Sequence, residues 1–331
     1  MSNPVALTRP RLKGLLIDLS GNLHIGSTPT PNAVEALQRL QQSGVPFRLC
    51  SNTSKESTDS VILRLNQMGF KIPNLGSDSN QSDHHNHEQS SSNTSANRED
   101  RRLVWTSIGA VARLLKNLNV TNPFFILSES ARHEVLEAVK ERHVRGIATN
   151  SSPHSEYDAV VIGLAPKQFD YENLNTAFRI LKGEHSSQGS RPNTHEKSRR
   201  IPLIATHKAK YMQSESGLSL GPGPFVTALE SATGLQAHVV GKPTKGFLEM
   251  VIRDMQDDSS AWDDDPFSGN QRIAIIGDDV EADLGGGALE LDLWRILVRT
   301  GKYRTGDEIR LGVAPPDEVF DSFAAFVDTL L

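Results

Sequence analysis

The sequence predicts an α/β protein built on a doubly wound parallel sheet, with a second α/β domain in the middle of the chain. Apolar runs of strand length alternate with amphipathic segments of helix length, and the connections between them are short. Two of the predicted strands, 15–17 and 272–277, are each followed at once by a carboxylate. Acids in that position lie at the carboxyl edge of an open sheet, where α/β proteins bind ligands.

The first predicted element is a buried strand over 15–17 that ends at Asp18, with Ser20 and Gly21 in the turn beyond it. Continuous apolar runs of this length are typical of strands that are covered on both faces. From this stretch alone, a strand followed by an ordinary polar turn is an equally good interpretation.

The next elements extend the alternation of strand and helix. A helix is predicted with Thr30 as its N-cap, Pro31 as its first residue and Gly44 as its C-cap. The run 45–50 predicts the second strand, and the segment 56–68 predicts a second helix.

The remaining elements follow from the same periodicities. Strands are predicted over 124–127, 157–165, 201–207, 272–277 and 293–300. A strand end followed by an amphipathic helix is predicted over 103–118, and further helices are predicted over 131–143, 171–183, 224–234, 244–255 and 320–330. The region 119–235 has its own alternation and its own apolar residues, which favours a separate domain.

Three polar segments interrupt this pattern, namely 74–102, 184–200 and 256–270. The first is nearly free of apolar residues and cannot bury enough surface to offset the entropy cost of ordering, and the first two are predicted to be disordered. His84, His85 and His87 in the first segment are compatible with a metal site, but its low-complexity composition favours a solvated tract. The acidic run 263–265 is interpreted as a solvated loop.

The composition excludes several classes of protein. The formal net charge is −5 and no dense basic stripe occurs, which argues against a nucleic-acid-binding surface. No apolar run approaches the ~20 residues of a membrane span. The single cysteine, Cys50, rules out an internal disulfide and favours a reducing compartment. Residues 1–14 lack the apolar segment of a signal peptide, so a cytoplasmic location is expected.

Three predicted strands end in polar residues that can carry chemistry: Asp18, Ser51 and Asp278. Because the ends of neighbouring parallel strands meet at one edge of a doubly wound sheet, these side chains are expected to share a crevice. Two carboxylates from different strands suit a hard cation that prefers oxygen ligands, which predicts a Mg²⁺ site.

Further charge is expected beside this site. Asp279 and Asp283 add negative charge, and clustered carboxylates repel one another unless cations neutralise them. Lys242, in a Gly-Lys-Pro turn, is the lysine predicted to do so.

Six stretches, taken in order, carry a resemblance to the haloacid dehalogenase superfamily of phosphotransferases: IDLSGNLHIG, SNTSKES, VVIGLAP, LGPGPFVTALE, VVGKP and IGDDVEADLGG. The resemblance covers nearly the whole chain apart from the three polar segments. It implies a Rossmann-like catalytic core formed by 11–118 and 236–331, and an inserted α/β cap domain of the C2 type over 119–235. By family analogy alone, it also implies a homodimer formed through the cap.

The resemblance implies that Asp18 takes the phosphoryl group as an aspartyl-phosphate, an intermediate that splits one hard displacement into two easier ones. It implies a Mg²⁺ ion held by Asp18, the backbone carbonyl of Ser20 and Asp278. Asp279 or Asp283 would fix metal-bound water and a lysine.

The remaining implied roles concern phosphoryl binding. Ser51 and Asn52 would hydrogen-bond the transferring oxygens, and Lys242 would neutralise them and orient Asp18. Lys208, just after a strand of the cap, is a further candidate for substrate binding, with a solvated surface position as the alternative. The expected partner is a small phosphorylated compound.

Two functions remain open because of Ser20. Many phosphatases of this superfamily have an aspartate at this position that protonates the leaving group, and a missing general acid costs ~10²–10⁴-fold. A phosphoric monoester or phosphoramidate hydrolase with this serine would favour good leaving groups: P–N bonds, pyrophosphate and aryl phosphates. The alternative is a catalytically weak or inactive family member that serves as a binding or regulatory protein. Asn22, where Thr or Val is commoner, is a second departure from the family pattern.

Overall fold

The computed structural model describes residues 9–73, 103–144, 157–184, 200–214, 217–258 and 271–331. The three polar segments fall almost entirely outside the described residues, as do His84, His85, His87 and the acidic run 263–265. The predictions made for them therefore stay predictions.

The described residues form short strands and helices in alternation. The strands are β1 (Arg11–Asp18), β2 (His24–Ile25), β3 (Thr28–Pro29), β4 (Phe47–Ser51), β5 (Val104–Thr106), β6 (Pro123–Ile126), β7 (Ala159–Ile162), β8 (Leu203–Ala205), β9 (Tyr211–Ser214), β10 (Gly217–Leu220), β11 (His238–Val239), β12 (Gln271–Gly277), β13 (Trp294–Val298) and β14 (Glu318–Phe320). The helices are α1 (Ala33–Ser43), α2 (Thr58–Gln67), α3 (Ser107–Asn117), α4 (Glu129–Val144), α5 (Tyr171–Leu181), α6 (Gly223–Thr233), α7 (Lys245–Asp257), α8 (Gly287–Glu290) and α9 (Phe323–Leu330). Each predicted strand and helix has a counterpart here, mostly with shorter bounds. None of the described helices is long and apolar enough to cross a membrane.

One sheet holds six strands in the order β14-β13-β12-β1-β4-β5. The pairs that β1 forms with β12 and β4, and those that β13 forms with β12 and β14, are parallel. The chain enters the sheet at β1, extends it on one side, and later extends it on the other side from β12. The strand order therefore reverses between β1 and β12, which is the switch point where open α/β sheets bind ligands. The predicted doubly wound parallel sheet is confirmed.

The two central strands of this sheet are buried along their apolar runs. Residues 15–17 of β1 and 273–276 of β12 are at most 2% exposed. Burial of every successive residue requires cover on both faces, which explains why these strands appear as continuous rather than alternating apolar runs. The register pairs Ile17 with Ile276, so the two strands end side by side.

A second sheet holds four strands in the order β11-β8-β7-β6, and its pairs are parallel. Alternate residues of β7 belong to different core clusters. Val160 and Ile162 pack with apolar residues of α5 and α6, whereas Ala159 and Val161 pack with apolar residues of α3 and α4. Helices therefore cover both faces of this sheet, and it has a core of its own, as expected for a second α/β unit.

The described residues fall into two compact units. The first takes its residues from Met1–Cys50, Ile62–Val104 and Leu248–Leu331, and the second takes its residues from Ser51–Val61 and Trp105–Phe247. The second unit thus includes the loop that begins at Ser51 as well as α3. The predicted assignment of 11–118 and 236–331 to a core, and of 119–235 to a cap, stays a prediction.

The start of α1 differs from the prediction. Its N-cap is Asn32, which has a φ of +57° and makes no side-chain cap bond. Thr30, the predicted N-cap, instead donates its hydroxyl to the backbone carbonyl of Asn22 at 2.7 Å, because that carbonyl needs a partner inside the fold. The C-cap prediction is confirmed, since Gly44 has a φ of +76°.

Candidate active site

Three buried carboxylates meet at the switch point of the six-stranded sheet. Asp18 ends β1, Asp278 directly follows β12, and Asp283 lies one turn beyond Asp278. Each offers an oxygen, and these oxygens all lie within 4.8 Å of one another. The three side chains are at most 7% exposed. Asp18 and Asp278 come together as expected from the order of their strands, and Asp283 joins them.

The carboxylate of Asp278 has a fixed orientation. The backbone N–H of Lys302 donates to its Oδ2 at 2.6 Å. Gly21 and Gly301 pack against the same oxygen, and a Cβ on either glycine would overlap it. Oδ1 is buried and has no hydrogen-bond partner among the described residues. A buried acceptor without a partner is costly, so Oδ1 is well suited to bind a cation.

The turn after Asp278 is held by its own side chains. Oδ1 of Asp279 accepts the backbone N–H groups of Glu281 and Ala282, each at 3.0 Å. Oδ2 of Asp283 accepts the N–H of Asp279 at 3.2 Å. A Cβ at Gly277 would lie 2.5 Å from that Oδ2, so the close approach of Asp283 depends on the glycine.

Burial and neighbouring negative charges both raise the pKa of Asp278. Burial is the main cause that raises this pKa well above its usual range, and the carboxylates of Asp283 and Asp18 raise it further. The Lys302 charge and its backbone hydrogen bond offset only part of the shift. A divalent cation would relieve both the burial and the repulsion. The donor set therefore fits Mg²⁺, which prefers carboxylate and carbonyl oxygens.

Lys302 lies beside the acidic cluster, and it was not singled out from the sequence. Its Nζ lies 3.4 Å from Oδ2 of Asp279, and its side chain is 44% exposed. Burial lowers the pKa of Lys302, but the surrounding carboxylates, with Asp283 the strongest, raise it above its ordinary value overall. Burial likewise raises the pKa of Asp279, but the Lys302 charge and two N–H donors lower it below its usual range. Lys302 follows β13, and the pairing of β13 with β12 brings it to the cluster.

In the second unit, Asn52 and Lys242 are joined by two hydrogen bonds. Asn52 Nδ2 donates to the backbone carbonyl of Lys242 at 2.9 Å, and the N–H of Lys242 donates to Asn52 Oδ1 at 2.8 Å. Lys242 is 2% exposed. Gly241 permits this approach, since a Cβ there would lie 2.5 Å from Asn52 Oδ1. Two residues predicted to bind the phosphoryl group are thus positioned by each other.

The loop that starts at Ser51 is tied down along its length. The hydroxyl of Ser51 accepts the N–H of Thr53 at 3.2 Å, and Ser107 donates to the carbonyl of Thr53 at 2.8 Å. Ser54 Oγ accepts the N–H of Leu164 at 2.9 Å and lies 3.2 Å from Nε2 of His207. Ser54 was not singled out from the sequence, because its contact with His207 joins positions 153 residues apart.

The structure gives other predicted residues different surroundings. Lys208 forms an ion pair with Glu230 at 2.6 Å, so its ammonium is engaged. Ser20 is exposed and pairs through its backbone with His24 in an isolated bridge. Asn22 is fully buried, and its Nδ2 donates to the backbone carbonyl of Asp18 at 3.0 Å. The predicted roles of Ser20 and Lys208 stay predictions. Asn22, the second departure from the family pattern, contacts the backbone of the predicted nucleophile.

Replacing Asn52 by alanine is expected to lower the melting temperature, because two hydrogen bonds are lost and the N–H of Lys242 loses its acceptor. Such losses cost about 1–3 kcal/mol when the orphaned group is buried. Thermal unfolding followed by circular dichroism measures the effect. Asn173→Ala is the matched control, since Asn173 hydrogen-bonds Asp170 on the exposed start of α5. Equal melting temperatures for the two variants would contradict the structural role of Asn52.

Comparisons with known proteins identify the family. A model described as haloacid dehalogenase-like hydrolase matches residues 15–141, and one described as HAD-hydrolase-like matches residues 239–326. The chain is 36% identical over 324 residues to haloacid dehalogenase-like hydrolase domain-containing protein 2 of Bos taurus, covering 98% of each. It is 28% identical over 324 residues to phospholysine phosphohistidine inorganic pyrophosphate phosphatase of Homo sapiens, covering 97% of this chain and 94% of the relative.

A solved structure shows the same fold. Glycerol phosphate phosphatase from Mycobacterium tuberculosis, in complex with magnesium, superposes with a TM-score of 0.65 at 22% identity. The match covers 95% of this chain and 76% of that one. At this identity the likeness concerns the fold alone.

Proposed function

Because the chain belongs to the haloacid dehalogenase-like hydrolase family, we propose that it is a Mg²⁺-dependent phosphatase in which Asp18 accepts the phosphoryl group. The observation that carries this proposal is the buried cluster of Asp18, Asp278 and Asp283, in which Oδ1 of Asp278 has no hydrogen-bond partner among the described residues. A structural role alone gives no reason to gather three carboxylates in a buried position, where they repel one another.

In the proposed reaction, a carboxylate oxygen of Asp18 attacks phosphorus and the bond to the leaving group breaks. Water then hydrolyses the aspartyl-phosphate, which releases inorganic phosphate and restores the carboxylate. Asp18, Asp278 and the backbone carbonyl of Ser20 would hold Mg²⁺. When bound, the ion neutralises charge on the phosphoryl oxygens. Asn22 supports the nucleophile by fixing the backbone carbonyl of Asp18.

The family pattern assigns phosphoryl binding to Ser51, Asn52 and Lys242. The bond from Asn52 Nδ2 to Lys242 uses one of the two amide hydrogens, so the other can donate to a phosphoryl oxygen. Asn52 therefore has two roles in the proposal, since it also positions the backbone of Lys242. Preorganised donors of this kind stabilise the charge that develops on a transferring phosphoryl group.

The proposed substrates carry good leaving groups. Ser20 occupies the position where a carboxylic acid would protonate the leaving oxygen, and an alcohol is too weak an acid for that task. Bonds whose leaving group needs little help from a proton donor are therefore favoured, namely P–N, pyrophosphate and aryl phosphate bonds. One relative is named as a phosphatase of phospholysine, phosphohistidine and inorganic pyrophosphate, which agrees with this class.

We expect kcat/KM for pyrophosphate, phosphoimidazole or p-nitrophenyl phosphate to exceed that for a simple alkyl phosphate by on the order of 10²-fold, the usual worth of a general acid. Ser20→Asp should reduce this difference in kcat/KM, because the new carboxylic acid can protonate the leaving group of the alkyl phosphate. Steady-state kinetics in Mg²⁺ measure both effects, and Ser27→Asp, on the exposed turn between β2 and β3, is the control. If the unmodified protein hydrolyses the alkyl phosphate as efficiently as the other compounds, the proposed preference for good leaving groups is excluded.

A second candidate function is phosphate-dependent binding without catalysis, and Ser20 is the observation that favours it. A chain that binds beryllofluoride or vanadate in the presence of Mg²⁺, yet turns over no compound in a broad phosphate panel, would support this function. Turnover at ordinary enzyme rates would exclude it.

A further inference from the structure

The loop after β13 contacts the acidic cluster in two ways. The backbone N–H of Lys302 donates to Asp278 Oδ2 at 2.6 Å, and its ammonium lies 3.4 Å from Asp279 Oδ2. The same ammonium interacts electrostatically with Asp18 and Asp283. The loop thus supplies both a directional contact and a positive charge to the carboxylates that would bind a cation.

Several bonds make this loop rigid. Thr300 donates its hydroxyl to the carbonyl of Gly21 at 2.5 Å. Gly301 has a φ of +58°, and a Cβ there would overlap both Asp278 Oδ2 and Gly21 Cα. The guanidinium of Arg304 donates to the carbonyls of residues 301, 302 and 303 at 3.3, 3.0 and 2.8 Å. The N–H of Lys302 is therefore held in place, whereas its ammonium, on a flexible and half-exposed stem, can move away.

We propose that Lys302 is a positioning residue that sets the Mg²⁺ affinity of the acidic cluster: its backbone N–H orients Asp278, and its ammonium competes with the cation for the negative charge. The proposal rests on the proposed function, because it takes Mg²⁺ as the cation. Without metal, the ammonium offsets the repulsion among four carboxylates. When the divalent cation enters, the same ammonium opposes it.

The ammonium of Lys302 affects cation binding in one direction only. Removing a positive charge from beside a cation site strengthens cation binding, by about threefold to tenfold for a partly exposed group at these distances. Lys302→Gln removes the ammonium but keeps the backbone N–H that orients Asp278. Its Mg²⁺ dissociation constant should therefore fall, and the difference should shrink at high salt, since salt screens the exposed ammonium.

Isothermal titration calorimetry of the full chain with MgCl₂, at low and high potassium chloride, measures the effect of the Lys302 charge on Mg²⁺ affinity. Arg310→Gln is the matched control, because it removes the same charge from a residue paired with Glu281 instead of with the cluster. We expect tighter Mg²⁺ binding for Lys302→Gln and no change for Arg310→Gln. Unchanged or weaker binding by Lys302→Gln overturns the charge role. If the unmodified chain binds no Mg²⁺, the proposed function and this inference both fail.

The orienting role has a separate test. Gly301→Ala should weaken Mg²⁺ binding about tenfold or more, the usual cost of disturbing a group that orients a metal ligand. Gly312→Ala is the control, since Gly312 has a φ of +81° but open space where a Cβ would lie. Both substitutions place an alanine at a positive φ, which is unfavourable for a residue with a Cβ. Circular dichroism shows which variants remain folded. Equal Mg²⁺ affinity of the two folded variants overturns the orienting role. If Gly301→Ala does not fold, the backbone amide resonance of Lys302 in an NMR spectrum tests the orienting role instead. Asp278→Ala should shift this resonance, because it removes the acceptor of the Lys302 N–H. An unchanged chemical shift would contradict the hydrogen bond between Lys302 and Asp278.

Discussion

Asp18→Asn is expected to abolish phosphatase activity, lowering kcat by roughly 10⁴-fold or more, as is usual when a nucleophile is removed. An amide cannot form the acyl-phosphate bond, and it also takes one negative charge from the cluster that would bind Mg²⁺. The backbone carbonyl of Asp18, which accepts the Asn22 amide, is unchanged by the substitution. Hydrolysis of p-nitrophenyl phosphate and of pyrophosphate with added MgCl₂ measures the loss.

Two controls separate this loss from misfolding. Asp18→Asn should retain the far-ultraviolet circular dichroism of the unmodified protein, since the side chain is nearly isosteric. Asp328→Asn, which alters a carboxylate that is 60% exposed and paired with Arg39, should leave activity intact. Residual activity of Asp18→Asn within about tenfold of the unmodified protein would exclude Asp18 as the nucleophile.

The position of the acidic cluster at the edge of the sheet was predictable because it depends on local patterns and on a general rule of topology. Apolar runs indicated β1 and β12, and each run is followed by an acid, Asp18 or Asp278. In a doubly wound sheet the first strand is central, so these two strand ends become neighbours once the chain reverses direction. Few alternative arrangements were open to such a sequence.

The contacts around that edge were not predictable in the same way. Lys302 is an ordinary residue in a polar loop, and only the pairing of β13 with β12 explains its place beside Asp278. Asn52 and Lys242 are 190 residues apart, and no local pattern indicates their reciprocal bonds. Such contacts depend on tertiary structure, to which local propensity is only a weak guide.

Short elements were missed for a different reason. The hairpins β2–β3 and β9–β10 consist of strands of two to four residues, which are too short to show alternation. The misplaced N-cap of α1 shows the same limit, since Thr30 has the right side chain for a cap. Its hydroxyl is used by Asn22 and Leu23 in the turn after β1.

Asp278→Asn is expected to stabilise the metal-free protein while abolishing its response to Mg²⁺. A carboxyl whose pKa is raised by folding lowers stability at every pH above its unfolded pKa, and Asp278 is such a group. The amide can still accept the N–H of Lys302 through its oxygen, and its NH₂ group can donate to the carboxylates of Asp18 and Asp283. Relief of buried charge of this kind is worth about 1–4 kcal/mol.

Thermal melts with and without MgCl₂ measure both effects. The unmodified protein should melt higher with Mg²⁺, because a ligand that binds only the native state stabilises it. Asp278→Asn should melt higher than the unmodified protein without metal and show no shift with it. Asp279→Asn is the contrasting variant: folding lowers the pKa of Asp279, so removal of its charge should lower the melting temperature. If Asp278→Asn melts at a lower temperature than the unmodified protein without metal, charge repulsion does not dominate the cluster. If the melting temperature of Asp278→Asn still rises with Mg²⁺, Asp278 is not a ligand of the ion.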